Sequence, residues 1–118
     1  MNNISYDQAI NLMKNFGVVL IDVQHYNDYQ KKHLIGSINI PVEEINSKVE
    51  TVIKNKNENI IVYCLSGIRS VAACDILNRL GYKNIYNIQG GIENWWWRWN
   101  FTIFFVYIHL FIIVYVKN

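Results

Sequence analysis

Cysteine, proline and charge are all scarce in this 118-residue chain, and each shortage removes a class of protein. Two cysteines, Cys64 and Cys74, make neither a disulfide framework nor a zinc site, so no metal and no resident cofactor is expected. Cys74 falls on the segment after Cys64, which argues against a bridge between them and suits a reducing, cytoplasmic compartment. A single proline, Pro41, and no Ser-rich run leave no linker, and no internal repeat is present. Charged residues are 17% and the formal net charge is +2, so no basic field points to nucleic acid. The opening M-N-N-I-S-Y-D-Q has neither the basic nor the apolar region of a signal peptide. The length is that of one domain with a core large enough to need no staples.

What is present is organised around residues 60–70, reading I-I-V-Y-C-L-S-G-I-R-S. A short β-branched run ends on Cys64, passes through a loop of small residues and enters an expected helix near Ser70. A parallel strand delivers its last residue to the carboxyl edge of a sheet, where α/β proteins bind ligands. Backbone N–H groups of residues 65–69 can curl around the sulfur as an anion-binding nest, with the positive end of the helix dipole aimed at the same point. Both effects favour thiolate, the nucleophilic form. Read alone, the stretch also fits a thiol that merely fills the core at a strand end.

The flanking pattern alternates strand and helix. Ile4 marks a short first strand. Ser5 fits an N-cap for a helix with a stripe at Ala9, Ile10, Leu12, Met13 and Phe16, ending at Gly17. Residues 18–21 form an apolar run suited to a strand buried on both faces and closed by Asp22. Residues 26–33 predict a short helix, 38–40 a very short strand before Pro41, and 42–53 a helix. Residues 60–63 are the central strand, and 85–88 a fifth. Ser70 is the expected cap of the helix carrying Ala73, Ile76, Leu77 and Leu80, with Gly81 after its end. This alternation predicts an α/β fold with a parallel sheet covered on both faces.

Three ordered motifs carry a family resemblance: D-V-Q-H-Y-N-D-Y-Q-K-K-H-L-I-G-S-I-N-I-P (22–41), I-V-Y-C-L-S-G-I-R-S (61–70) and L-G-Y-K-N-I-Y-N-I-Q-G-G-I-E-N-W (80–95). Together they resemble the single-domain rhodaneses. The resemblance implies a five-stranded parallel sheet of order 1-5-4-2-3, flanked by helices on both faces. It also implies sulfur transfer: a small anionic donor such as thiosulfate gives sulfur to the catalytic cysteine, and a thiol or protein acceptor removes it. Cys64 occupies the catalytic position, and Leu65, Ser66, Gly67, Ile68, Arg69 and Ser70 the substrate-binding loop. Arg69 either attracts the anion or pairs with a carboxylate such as Asp22 or Asp28. Fold-related phosphatases place one residue more between Cys and Arg, so the four residues here suit sulfur better than phosphate. Departures are Gln24, where the family commonly has Arg, and Lys32, where it commonly has Gly. His33 and Asp22 read as structural, His25 as a solvated loop residue. A rhodanese-like module used only for binding or membrane-tethered regulation is the alternative.

The composition shifts near Trp95. Ten of the last 24 residues are aromatic, against seven in the first 94, which divides the chain into a domain at 1–97 and an apolar tail at 98–118. Residues 99–116 carry no formal charge and would span ~27 Å as a helix, slightly short of a bilayer core. Membrane attachment, a tail foreign to the domain, and a tail packed on protein all fit this stretch.

Overall fold

The computed structural model describes residues 1–93; the tail, and with it the anchor reading of 99–116, lies outside the described residues. Ten elements follow in order: β1 (Asn2–Ile4), α1 (Tyr6–Asn15), β2 (Val18–Asp22), α2 (Tyr26–Lys31), β3 (Ile38–Asn39), a 3-10 turn (Val42–Glu44), α3 (Ile45–Val52), β4 (Asn59–Tyr63), α4 (Ile68–Arg79) and β5 (Asn84–Ile88). The strands form one sheet of order β1-β5-β4-β2-β3, with every pairing parallel. The expected order and flanking helices are therefore observed.

Period-two alternation divides the core. Ile60 and Val62 face α3 and α4, joining Ile21, Ile45, Val49, Ala73, Cys74 and Leu77. Ile61 and Tyr63 face the other way, joining Ile4, Ala9, Leu20, Ile88 and Ile92. Residues 60–63 are fully buried, because a parallel strand covered by helices on both sides has no wet face. α1 begins with the expected cap: Gln8 N–H donates to Ser5 Oγ, and the Gln8 side chain accepts from Ser5 N–H in return.

Two helix starts differ from expectation. The helix expected over 42–53 opens instead as a 3-10 turn after Pro41, and α3 starts at Ile45. The helix expected to be capped by Ser70 starts instead at Ile68, with Gly67 as its N-cap residue, three residues before the expected cap. That second difference determines the site.

Candidate active site

β4 carries the chain to the carboxyl edge and stops at Tyr63, leaving Cys64 as the first residue beyond the strand. Cys64 is only 2% exposed and is a free thiol. Gly67 N–H donates to its Sγ at 3.0 Å and Ser70 N–H at 3.4 Å. The thiol in turn lies 3.5 Å from Ser70 Oγ, whose hydroxyl donates to Gly67 O at 3.2 Å. Gly67 holds φ +93°, a left-handed dihedral that lets the loop reverse within three residues.

α4 lacks an N-cap side chain of the usual kind. Its third residue, Ser70, instead offers its N–H to the cysteine sulfur. The sulfur thus occupies the place of a cap acceptor, where unpaired N–H groups and the helix dipole both stabilise negative charge. Ser70 belongs to the first turn rather than to the cap: its amide donates to the sulfur, and its hydroxyl oxygen accepts from the thiol while donating to Gly67 O.

The remaining loop residues divide by role. Ile68 is 78% exposed and Leu65 is exposed as well, so their side chains take no part in holding the sulfur. Ser66 is also exposed. Arg69 is exposed and, among the described residues, pairs with no carboxylate; neither Asp22 nor Asp28 holds it. Cys74 is buried in the same core cluster as Cys64, and burial pushes its thiol up to about 12, so it stays neutral at ordinary pH. Among the described residues no cluster of His, Cys, Asp or Glu side chains could hold a metal ion.

A second turn braces the loop from behind. Ile92 N–H donates to Cys64 O at 3.0 Å and Glu93 N–H to Leu65 O at 2.8 Å. The approach is so close that a Cβ on Gly91, at φ +66°, would lie 2.2 Å from Leu65 O. The turn is itself tied down by Tyr6, whose hydroxyl donates to Gly91 O at 2.9 Å, and by Lys32 Nζ, 2.6 Å from Ile92 O. Sequence reasoning read residues 90–91 only as a tight turn and gave Tyr6 and Lys32 no part in the site. Nothing local signals contacts made 60 and 85 residues away.

Beside the site lies a buried polar network. Asp22, fully buried, accepts from Gln24 N–H and from the Gln24 side-chain amide, both at 2.8 Å. Burial raises the Asp22 carboxyl above the usual carboxylate range, partly opposed by the hydrogen bonds from Gln24. Tyr63 OH accepts from Leu34 N–H and donates to Ser37 Oγ, each at 2.9 Å, and burial with the nearby Asp22 charge pushes its phenol up. His33 donates from Nδ1 to Tyr29 O at 2.6 Å and stacks on Tyr29 at 3.9 Å. These contacts fit the structural reading of Asp22 and His33.

Comparison with known proteins agrees with this architecture. The family described as "Rhodanese-like domain" matches residues 5–96. The thiosulfate sulfurtransferase PspE of Escherichia coli is 39% identical over 74 residues, which cover 63% of this chain and 70% of that protein. A tRNA uridine(34) hydroxylase from Buchnera aphidicola is 36% identical over 93 residues, covering 75% of this chain but only 30% of that longer enzyme. A solved structure described as a rhodanese with anions from E. coli superposes with a TM-score of 0.62 at 35% identity, covering 65% of this chain and 91% of that one.

Proposed function

The chain belongs to the rhodanese-like domain family, and from that premise we propose that Cys64 carries sulfane sulfur as a persulfide. The enzyme is a sulfurtransferase, as its thiosulfate sulfurtransferase relatives are named. In the first half-reaction the Cys64 thiolate attacks the outer sulfur of thiosulfate. A Cys64–sulfur bond forms, the sulfur–sulfur bond of thiosulfate breaks, and sulfite leaves with the bonding electron pair. In the second, an acceptor thiolate attacks the outer sulfur of the persulfide, and Cys64 departs as thiolate. No net oxidation occurs and no proton has to move in either displacement.

One observation carries this reading: the N–H groups of Gly67 and Ser70 both converge on Sγ. Fixed donors aimed at a sulfur anion stabilise it without supplying a proton and need no reorganisation when charge arrives. The loop's outward carbonyls extend the same logic. Cys64 O and Leu65 O are drawn onto the 92–93 amides, and a trans peptide turns the following N–H the opposite way. Leu65 and Ser66 N–H therefore face away from the brace and, with no partner among the described residues, can receive the outer persulfide sulfur. Arg69, uncommitted to any carboxylate among the described residues, supplies positive potential for an anionic donor. A nearly buried thiol favours a compact donor such as thiosulfate, with a small thiol or a flexible protein thiol as acceptor. Free thiols suit a cytoplasmic setting. Among the described residues no helix is long and apolar enough to cross a membrane. A module used only for binding would leave the donor-lined sulfur without a role.

Mass measurement after incubation with thiosulfate tests the proposal. The protein should gain one sulfur atom and Cys64→Ser should gain none. A reduced, alkylatable Cys64 that never takes up sulfur would overturn it.

A further inference from the structure

Lys32 interrupts the family pattern with a long cation, and its environment is more ordered than a surface lysine's. Its backbone is fixed on both sides: its N–H donates to Asp28 O at 3.1 Å, and its carbonyl accepts from Gln24 Nε2 at 3.0 Å. From this anchored C-cap of α2, the side chain is half-buried and reaches Ile92 O at 2.6 Å and Glu93 O at 3.3 Å. The first of these carbonyls matters most. Ile92 C=O and Glu93 N–H are the two ends of one peptide group, and Glu93 N–H donates to Leu65 O at 2.8 Å. An ammonium on one end of a peptide strengthens the hydrogen bond made by the other, because the group is polarised along its own dipole. The chain Lys32 ammonium, Ile92–Glu93 peptide, Leu65 carbonyl therefore ends on the Leu65–Ser66 peptide plane. The following residue, Gly67, donates directly to the sulfur.

We propose that Lys32 is a positioning residue for sulfur transfer, holding the Leu65–Ser66 peptide so that the loop's N–H groups face the Cys64 sulfur. It touches neither the sulfur nor the donor. The proposal rests on the sulfurtransferase reading for its catalytic consequence, while its geometric content can be tested without it. Nearby charges are few: the Glu93 carboxylate acts on Lys32 but makes no ion pair with it among the described residues. Among the described residues the ammonium's direct partners are thus the two carbonyls.

The test uses the full chain with Lys32→Met, which keeps the apolar stem, and Lys32→Gln, which keeps an uncharged donor. Three quantities are measured: kcat and KM for thiosulfate, the rate of Cys64 alkylation by neutral iodoacetamide, and hydrogen exchange at the Glu93 amide. In Lys32→Met, kcat and alkylation should each fall about 3- to 10-fold with KM within twofold, and Glu93 should exchange faster. Lys32→Gln should fall between Lys32→Met and wild type. A rise in KM alone, abolished by added salt and with alkylation unchanged, would make Lys32 a remote anion attractor and overturn the proposal. Unchanged alkylation together with unchanged Glu93 exchange would overturn it as well. If the wild type takes up no sulfur from thiosulfate yet alkylation and exchange respond as stated, the sulfurtransferase reading fails and the brace stands.

Discussion

Gly91→Ala and Gly90→Ala form a pair in which one cost is shared and the other is not. Both residues have positive φ, +66° and +80°, so alanine at either position carries about 1 kcal/mol of backbone strain. A Cβ on Gly90 meets nothing within 4 Å. On Gly91 it would lie 2.2 Å from Leu65 O and 2.6 Å from Cys64 O, both backbone atoms that cannot rotate aside. The turn and the active-site loop must then separate. That breaks Ile92 N–H to Cys64 O and Glu93 N–H to Leu65 O, at about 1 kcal/mol each. Gly90→Ala should therefore cost about 1 kcal/mol and Gly91→Ala about 3 kcal/mol. For a domain of this size, those figures correspond to melting shifts of roughly 5 °C and 15 °C. Function should diverge more sharply. At a temperature where both are folded, Gly90→Ala should retain most of the wild-type sulfur-transfer rate, and Gly91→Ala should lose at least about tenfold. Differential scanning calorimetry and steady-state thiosulfate kinetics give both numbers. Equal melting shifts and equal activities would refute the argument that the 90–93 turn sets the loop's geometry.

Two further substitutions test the site and the buried network beside it. Ser70→Ala removes a hydroxyl 3.5 Å from Sγ while keeping the amide, so kcat for thiosulfate should fall about 3- to 10-fold. Ser70→Thr should recover part of that loss, and an unchanged kcat in Ser70→Ala would remove the hydroxyl from the mechanism. Asp22→Asn tests the raised carboxyl. Its unperturbed value is 3.8, and burial lifts it in the folded protein. Below the unperturbed value both states are protonated and pH has no effect through this group. Above it the unfolded chain releases a proton that the folded protein retains, so stability falls as pH rises until the folded value is passed. Urea unfolding from about pH 4 to about pH 8 should show Asp22→Asn gaining on wild type as pH rises. A difference independent of pH would contradict the buried-carboxyl account.

The sheet was legible because its signals are local. Runs such as residues 18–21 and 60–63 are apolar throughout, as a strand covered on both faces requires, and the helical stripes between them fix the alternation. The capping box at Ser5 and Gln8 was half visible, in that the serine pointed to the correct start. The start of α4 was not legible, and the reason is physical. Serine is a favoured cap because its short side chain accepts from the first-turn N–H groups, so Ser70 drew the boundary to itself. The acceptor is instead the sulfur of Cys64, six residues back along the chain and held in place by the sheet. A cap of that kind appears only when the strand and the loop are placed in space. Pro41 gave a similar warning that was read only as the end of a strand: the chain after it tightens into a 3-10 turn before α3 begins. Lys32 and Gly91 lie further from sequence reasoning. One was visible as a departure from a pattern and the other as half of a Gly-Gly pair, yet their partners are distant in the chain.

Gln24 shows how such a departure propagates. The family commonly places an arginine here, which would offer Asp22 a compensating positive charge. The glutamine keeps the hydrogen bonds, supplying its backbone N–H and side-chain amide to the two carboxylate oxygens, and spends its second amide hydrogen on Lys32 O. It cannot supply the charge. Asp22 therefore remains buried with its polar atoms satisfied but its ionisation opposed, which is why burial dominates its titration. The consequence reaches the site through register: Asp22 is paired with Tyr63, the residue before Cys64. A full negative charge at that point would oppose a sulfur anion on the neighbouring strand end, and burial raises the pH at which that charge develops. The same amide that gives up the ion pair also anchors the backbone of Lys32, from which the ammonium reaches the brace behind the loop. The two departures from the family pattern, at residues 24 and 32, are thus joined by one hydrogen bond. Replacing Gln24 removes that contact, whereas a substitution at residue 32 keeps the backbone carbonyl that accepts it and removes only the ammonium's reach to the brace.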